Sequence, residues 1–266
     1  MTEKKKGILA VSFGTRYADT RKKTITAIET AIRNAHPDIP VYTAWTSRIL
    51  RAKLLKTNGE NIPDVSEALL QMSKEHISDV YIQTTHIING FEYDSLREDV
   101  LRHRSLFSSV SLGEPLLSSD ADMEEAIGIL ADAFADALSY PADSESALVL
   151  MGHGSGHRAG AVYAVLNDRC KELGYPNLYV GTAESTPSVG EILTQLKKTP
   201  VKSVHLAPFL IVAGEHASKD MAGDSDTSWA SLFRKAGYHV TCHLKGLGEY
   251  PEIRAMFLKH LDKILT

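Results

Sequence analysis

Two histidines and a glutamate in the second half of the chain stand in settings that suit metal ligation. His153 lies in Gly152-His153-Gly154-Ser155-Gly156-His157, directly after an apolar run over residues 147–151. The flanking glycines carry no side chain and let a ligand approach the backbone closely. A histidine presented that way suits a metal ligand or a base, and histidine is the commonest metal ligand among side chains. A phosphate-cradling loop is the other reading of a glycine-rich turn between strand and helix, although the chain contains neither GxxxxGK(S/T) nor GxGxxG. Glu184 follows a second apolar run at 178–182. Taken alone, it reads equally as a first-turn acid that complements the dipole of a following helix. His216 follows a third run at 204–207, within Gly214-Glu215-His216-Ala217-Ser218-Lys219-Asp220. Neighbouring parallel strands put their carboxyl-terminal loops on one sheet edge, so these three side chains are placed to converge. Two imidazoles and a carboxylate with open positions form a catalytic-metal set. They suit Co²⁺, Ni²⁺, Fe²⁺ or Zn²⁺ without choosing among them.

The rest of the chain supplies elements to hold those loops. Strand-like runs at 7–13, 41–45, 79–83 and 110–112 alternate with helical patterns at 20–35, 62–76 and 123–138. A second series places strands at 147–151, 178–182, 204–207 and 239–243, with a helix after the first of them and others at 189–197 and 252–264. In the pattern at 20–35, Ile25, Ile28 and Ile32 share one face. Pro63 sits near the start of the pattern at 62–76, where proline is tolerated. The acidic pattern at 123–138 reads as a solvated helix face. Alternation of this kind predicts α/β layering around mostly parallel sheets flanked by helices. The polar stretch 140–146 interrupts the alternation and divides the chain into lobes over 1–139 and 140–266, with the last helix a candidate to pack back on the first lobe.

The two lobes repeat one another. Residues 7–15 match 147–155, each an apolar run, then a glycine-containing turn ending in a hydroxyl. Residues 80–93 align without a gap on 204–217, so that Gly90 falls on Gly214 and Glu92 on His216. Two similar α/β lobes are expected to face each other across a cleft, with ligands beyond the carboxyl ends of the strands.

The composition narrows the partners. The 266 residues are 43% hydrophobic and 23% charged, with a net charge of −4. These values are ordinary for a soluble globular protein and give no reason to expect nucleic acid or an anionic membrane as partner. Cys170 and Cys242 form no CxxC motif, which leaves them as reduced buried thiols. No stretch approaches the ~20 apolar residues of a membrane helix. The first apolar run is too short for a signal peptide, so a cytoplasmic address is expected.

Several motifs, taken in order, resemble one family: SFGT at 12–15, TSRIL at 46–50, HIINGFEYD at 86–94, GHGSGH at 152–157, AEST with a following proline at 183–187, and PFLIVAGEHASKDMAGD at 208–224. Together they resemble the class II chelatases, and among these the anaerobic-pathway cobalt chelatases of cobalamin synthesis. The resemblance spans essentially the whole chain, and the last motif is the most specific. It implies a two-lobed, ferrochelatase-like fold and ATP-independent insertion of a divalent metal into sirohydrochlorin. Co²⁺ is the first expectation and Fe²⁺ or Ni²⁺ the alternatives; the metal is a substrate, and no permanently bound cofactor is implied. His153, Glu184 and His216 would bind the metal, with Glu92 facing them from the other lobe and His153, His216 and Glu92 taking part in catalysis.

The carboxylate-rimmed substrate calls for a basic surround, for which Arg16, Arg48, Arg51, Lys53, His157, Arg158 and Lys219 are candidates, joined by Ser12 and Thr15 of the first motif. Tyr17 and Phe91 are candidates to stack on the macrocycle, Phe91 the better placed. Ordinary surface charge and core packing remain the competing readings for each of these residues. An iron or nickel chelatase of a related tetrapyrrole, a non-catalytic metal- or tetrapyrrole-binding protein and a phosphate-handling enzyme stay open as rivals, as does a homo-oligomer.

Overall fold

The computed structural model describes residues 5–138 and 145–266. These fall into two compact units, one running to Ser118 and resuming at Gly248–Thr266, the other spanning Ser119–Leu247. In the first unit, β1 (Lys6–Ser12), β2 (Val41–Trp45), β3 (Asp79–Thr84) and β4 (Ser109–Leu112) form a parallel sheet in the order β2-β1-β3-β4. In the second, β5 (Ser146–Gly152), β6 (Leu178–Thr182), β7 (Ser203–Pro208) and β8 (His239–Cys242) form a parallel sheet in the order β6-β5-β7-β8. The central strands are buried through Ile8–Val11 and Ala147–Met151, as expected of parallel strands covered on both faces.

Helices cover each sheet. In the first unit, Leu69 and Met72 of the helix Val65–Lys74 and Leu96 of the helix Phe91–His103 pack with Leu9, Val11 and Ile82. The helices Ile25–Ala35 and Pro251–Leu265 pack together, the latter also against β3. In the second unit, Ile192, Leu196, Trp229 and Phe233 close over Val149, Met151 and Leu206.

Several boundaries differ from those the sequence predicts. The division expected between 139 and 140 moves to 118/119, because the helix Asp120–Ala133 packs against the helix Val162–Glu172. Asp120 and Glu124 of the first helix pair there with Arg169 of the second. Most of the expected link at 140–146 lies outside the described residues, and Ser146 begins β5. The helix expected at 20–35 is interrupted at buried Thr24, whose hydroxyl donates to the Thr20 carbonyl at 2.6 Å and competes with the helical backbone bond. Pro63 precedes its helix. The helix starts at Val65, behind an Asp64–Glu67 capping box in which each side chain accepts from the other's backbone N–H, at 2.8 and 2.7 Å.

The repeat extends to single hydrogen bonds. Leu9 pairs with Ile82 and Tyr42 in the first sheet as Val149 pairs with Leu206 and Tyr179 in the second. Beyond the strands, Thr46 N–H donates to Ser12 O and Ser47 N–H to Phe13 O. In the second unit, Ala183 N–H donates to Gly152 O and Glu184 N–H to His153 O. Leu116 N–H meets His86 O as Leu247 N–H meets Leu210 O. The positions of His153, Glu184 and His216 therefore correspond to Phe13, Ser47 and Glu92. Among the described residues, no helix is long and apolar enough to cross a membrane.

Candidate metal centre

His153 is the first residue past β5, at the carboxyl edge of the second sheet. Its loop is tied to the loop after β6. Besides the bond from Glu184 N–H to His153 O at 3.0 Å, Ser155 N–H donates to Ser185 Oγ at 3.3 Å, and Ser185 N–H donates to Thr182 Oγ1 at 3.2 Å. Gly154 has φ +87°, and a Cβ there would come within 2.6 Å of Ser185 Oγ. Only glycine allows the two loops to approach this closely.

The ring of His153 is oriented by its own loop. Its Nδ1 lies 3.0 Å from the carbonyl oxygen of Gly154, which can only accept. That contact assigns the proton to Nδ1 and leaves the Nε2 lone pair for a ligand. His216 opens a single π-helical turn, His216–Met221, anchored by buried Ala217 and Met221. Turns of this type are rare and frequent at functional sites. Nδ1 of His216 lies 2.6 Å from Oδ2 of Asp220, which again leaves Nε2 to ligate. A carboxylate behind a ligating imidazole fixes its tautomer and orientation.

These loops bring the three side chains together. His153 Nε2 lies 3.9 Å from Glu184 Oε1, and the imidazoles of His153 and His216 meet edge to face with centroids 4.7 Å apart. One ligand atom from each of His153, Glu184 and His216 lies within 4.8 Å of the others. Tetrahedral ligands about 2.1 Å from one ion stand about 3.4 Å apart, so a closure of roughly 1–1.5 Å at the widest pair forms a single site. All three side chains reach solvent. Glu184 and His216 also line a hollow of about 480 Å³ bordered by Lys219, Asp220, Thr227 and Trp229.

The remaining candidates are placed as follows. Glu92 and Phe91 are exposed in the first turn of the helix Phe91–His103, which Gly90 caps. Arg48 is exposed at the start of the helix Arg48–Asn58. Arg16 is half-buried, lies over the Tyr17 ring and donates to its hydroxyl at 2.9 Å. Ser12 and Thr15 are buried and serve the turn instead of its surface. Ser12 Oγ accepts from the Thr85 hydroxyl at 3.0 Å, and Thr15 Oγ1 accepts from Tyr17 N–H at 3.3 Å. His157 caps the short helix Arg158–Ala161, accepting from Ala159 N–H at 3.1 Å, and Lys219 pairs with Glu215 at 2.6 Å. Arg51 is removed from the substrate candidates, since Asp64, Glu67 and the Ile62 carbonyl engage its guanidinium.

Two residues escaped the sequence reading. Asp220 was signalled by its i,i+4 spacing from His216. His86 opens the third motif and is held by hydroxyls, with Nδ1 2.6 Å from Thr84 Oγ1 and Nε2 3.3 Å from Thr46 Oγ1. Burial pushes its pKa down to about 4, so the ring is neutral near pH 7.

A family model described as cobalt chelatase (CbiK) matches residues 6–266. The chain is 40% identical over 262 residues to a sirohydrochlorin cobaltochelatase of Salmonella typhimurium, covering 98% of this chain and 97% of the relative. It is 34% identical over 265 residues to sirohydrochlorin cobaltochelatase CbiKC of Nitratidesulfovibrio vulgaris, covering 98% and 91%. Among solved structures, SirB from Bacillus subtilis with Fe³⁺ superposes with a TM-score of 0.68 over 98% of this chain and 95% of its own, at 15% identity. That last likeness is one of fold.

Proposed function

The chain belongs to the cobalt chelatase (CbiK) family, and from that premise we propose that it inserts Co²⁺ into sirohydrochlorin without ATP, in the cytoplasm. The observation that carries this reading is the meeting of His153, Glu184 and His216 at one sheet edge. The ion is a substrate, so the protein must hold it and then let it go. Three nitrogen and carboxylate ligands leave coordination positions open to incoming macrocycle nitrogens. Ligands on exposed loops can be exchanged one at a time as those nitrogens take over.

Insertion also removes two protons from the ring nitrogens. In this reading His153 and His216 hold the metal and serve catalysis; Glu92 accepts one of the two protons, and a histidine released from the metal accepts the other. Glu92 occupies the position of His216 in the repeat, is exposed and stands clear of the metal ligands in sequence. A positioned carboxylate or imidazole suits that transfer. The exposed guanidinium of Arg48 is suited to the substrate's rim carboxylates, with Arg16, His157 and Lys219 as further contacts and Phe91 as a stacking surface.

The test mixes metal-free protein, sirohydrochlorin and one divalent metal at a time, without ATP, and follows the visible bands of the macrocycle. With Co²⁺, the metal-free bands are expected to give way faster than in protein-free solution. No acceleration with any metal would overturn the reading. Faster conversion with Fe²⁺ or Ni²⁺ would keep a chelatase and change its metal.

A further inference from the structure

Phe13, Ile49 and Phe91 are 48%, 80% and 57% exposed. Phe13 directly follows β1, and Ile49 and Phe91 lie in the first turns of the helices that follow β2 and β3, three adjacent strands of the first sheet. Single exposed apolar side chains are ordinary, but three gathered at one sheet edge mark a binding surface. In a parallel α/β sheet this is the edge at which ligands bind.

The repeat says what kind of ligand. Phe13 holds the position of His153, Ser47 that of Glu184 and Glu92 that of His216, on backbones joined by equivalent hydrogen bonds. Where the second unit offers three metal ligands, the first offers an aromatic ring, a hydroxyl that accepts from Leu50 N–H as a helix cap, and one carboxylate. Such a set does not hold an ion. It suits a flat apolar face that carries N–H groups. Behind these loops the neutral ring of His86 is held between the hydroxyls of Thr46 and Thr84. Exposed Arg48, next to Ile49, supplies a cation at the border for rim carboxylates.

We propose that Phe13, Ile49 and Phe91 form the seat on which one face of the tetrapyrrole rests, Phe13 contacting the ring from the position a metal ligand holds in the other unit. The inference rests on the chelatase reading and adds Phe13 and Ile49 to the stacking surface assigned there to Phe91.

The test titrates full-length protein with metal-free sirohydrochlorin by visible absorbance, beside its Co²⁺ affinity and its kcat and KM. Phe13→Ala is expected to weaken macrocycle binding at least about tenfold and Ile49→Ala severalfold, because each truncation removes apolar area that the ring would cover. KM should rise more than kcat falls, Phe13→Tyr should restore most of the binding, and Co²⁺ affinity should stay unchanged. If Phe13→Ala also abolished Co²⁺ binding, Ile49→Ala, at the more exposed position, would decide. Undiminished macrocycle binding in both alanine variants of a protein whose wild type turns over would overturn the seat alone. A wild type that does not bind sirohydrochlorin would overturn the chelatase reading and the seat with it.

Discussion

A carboxylate oxygen of Asp220 lies 2.6 Å from Nδ1 of His216, on the same π-helical turn. The contact turns the imidazole so that Nε2 is the free nitrogen, and it makes that nitrogen a better donor. Asp220→Ala is therefore expected to lower Co²⁺ affinity by about 10–100-fold. Asp220→Asn keeps an acceptor oxygen and should lose less. Calorimetric titration of the macrocycle-free protein reads both values, and an unchanged affinity in Asp220→Ala would detach this residue from the metal centre.

The three proposed ligands should behave as one unit. His153→Ala, Glu184→Ala and His216→Ala are each expected to cost similar Co²⁺ affinity, and the triple variant little more than the worst single one. The same titration checks this. Losses that simply add would indicate separate sites.

Glu92 should separate from that unit. Glu92→Gln keeps the size and hydrogen bonding of the side chain but removes its basicity, and turnover is expected to fall by about a hundredfold or more. Co²⁺ affinity should not change. Glu92 also lies in the first turn of a helix, where losing the charge costs at most about 1 kcal/mol. Full turnover together with a lowered melting temperature would leave Glu92 as a helix-stabilising acid only.

His86 should leave a mark on acid stability. Burial holds its folded-state pKa at about 4 against an ordinary 6.5. Between those values the unfolded chain binds the proton and the folded protein does not. Stability is therefore expected to fall as pH drops from 6.5 towards 4, by on the order of 3 kcal/mol, and to gain nothing from this group above that window. Burial also lowers the pKa of His205 and His243, so the wild-type curve bends for several reasons. Denaturant midpoints of wild type and His86→Gln across this range isolate the one residue. A difference that does not vary with pH would show that His86 is not the group responsible.

The strands were legible because Ile8–Val11 and Ala147–Met151 are apolar without interruption, the pattern of strands covered on both faces. The metal-ligand candidates were legible because each follows such a run. Other elements left weaker traces. The helix Arg48–Asn58 buries only Leu54, so no apolar stripe announces it, and the helix Phe91–His103 begins inside a motif that reads as a loop. The fate of Arg51 depends on Asp64 and Glu67, which the fold brings to it from the next helix. The position of the domain boundary depends on which partner Asp120–Ala133 finds, and residue type does not encode that.

The helix Pro251–Leu265 has a consequence for the order of assembly. It packs on Ile25–Ala35 and β3, and His260 Nδ1 lies 3.3 Å from the Glu114 carbonyl, although the whole of Ser119–Leu247 intervenes in the chain. On a translating ribosome the first sheet emerges early and then waits for its last covering helix, on the order of ten seconds at ordinary elongation rates. The second unit is continuous and has its full core in hand before that helix is made. The unit bearing His153, Glu184 and His216 can therefore mature first. Until synthesis reaches Met256 and Phe257, buried in the finished protein, the nascent first unit keeps an uncovered apolar face, the stage at which chaperones or aggregation would meet it.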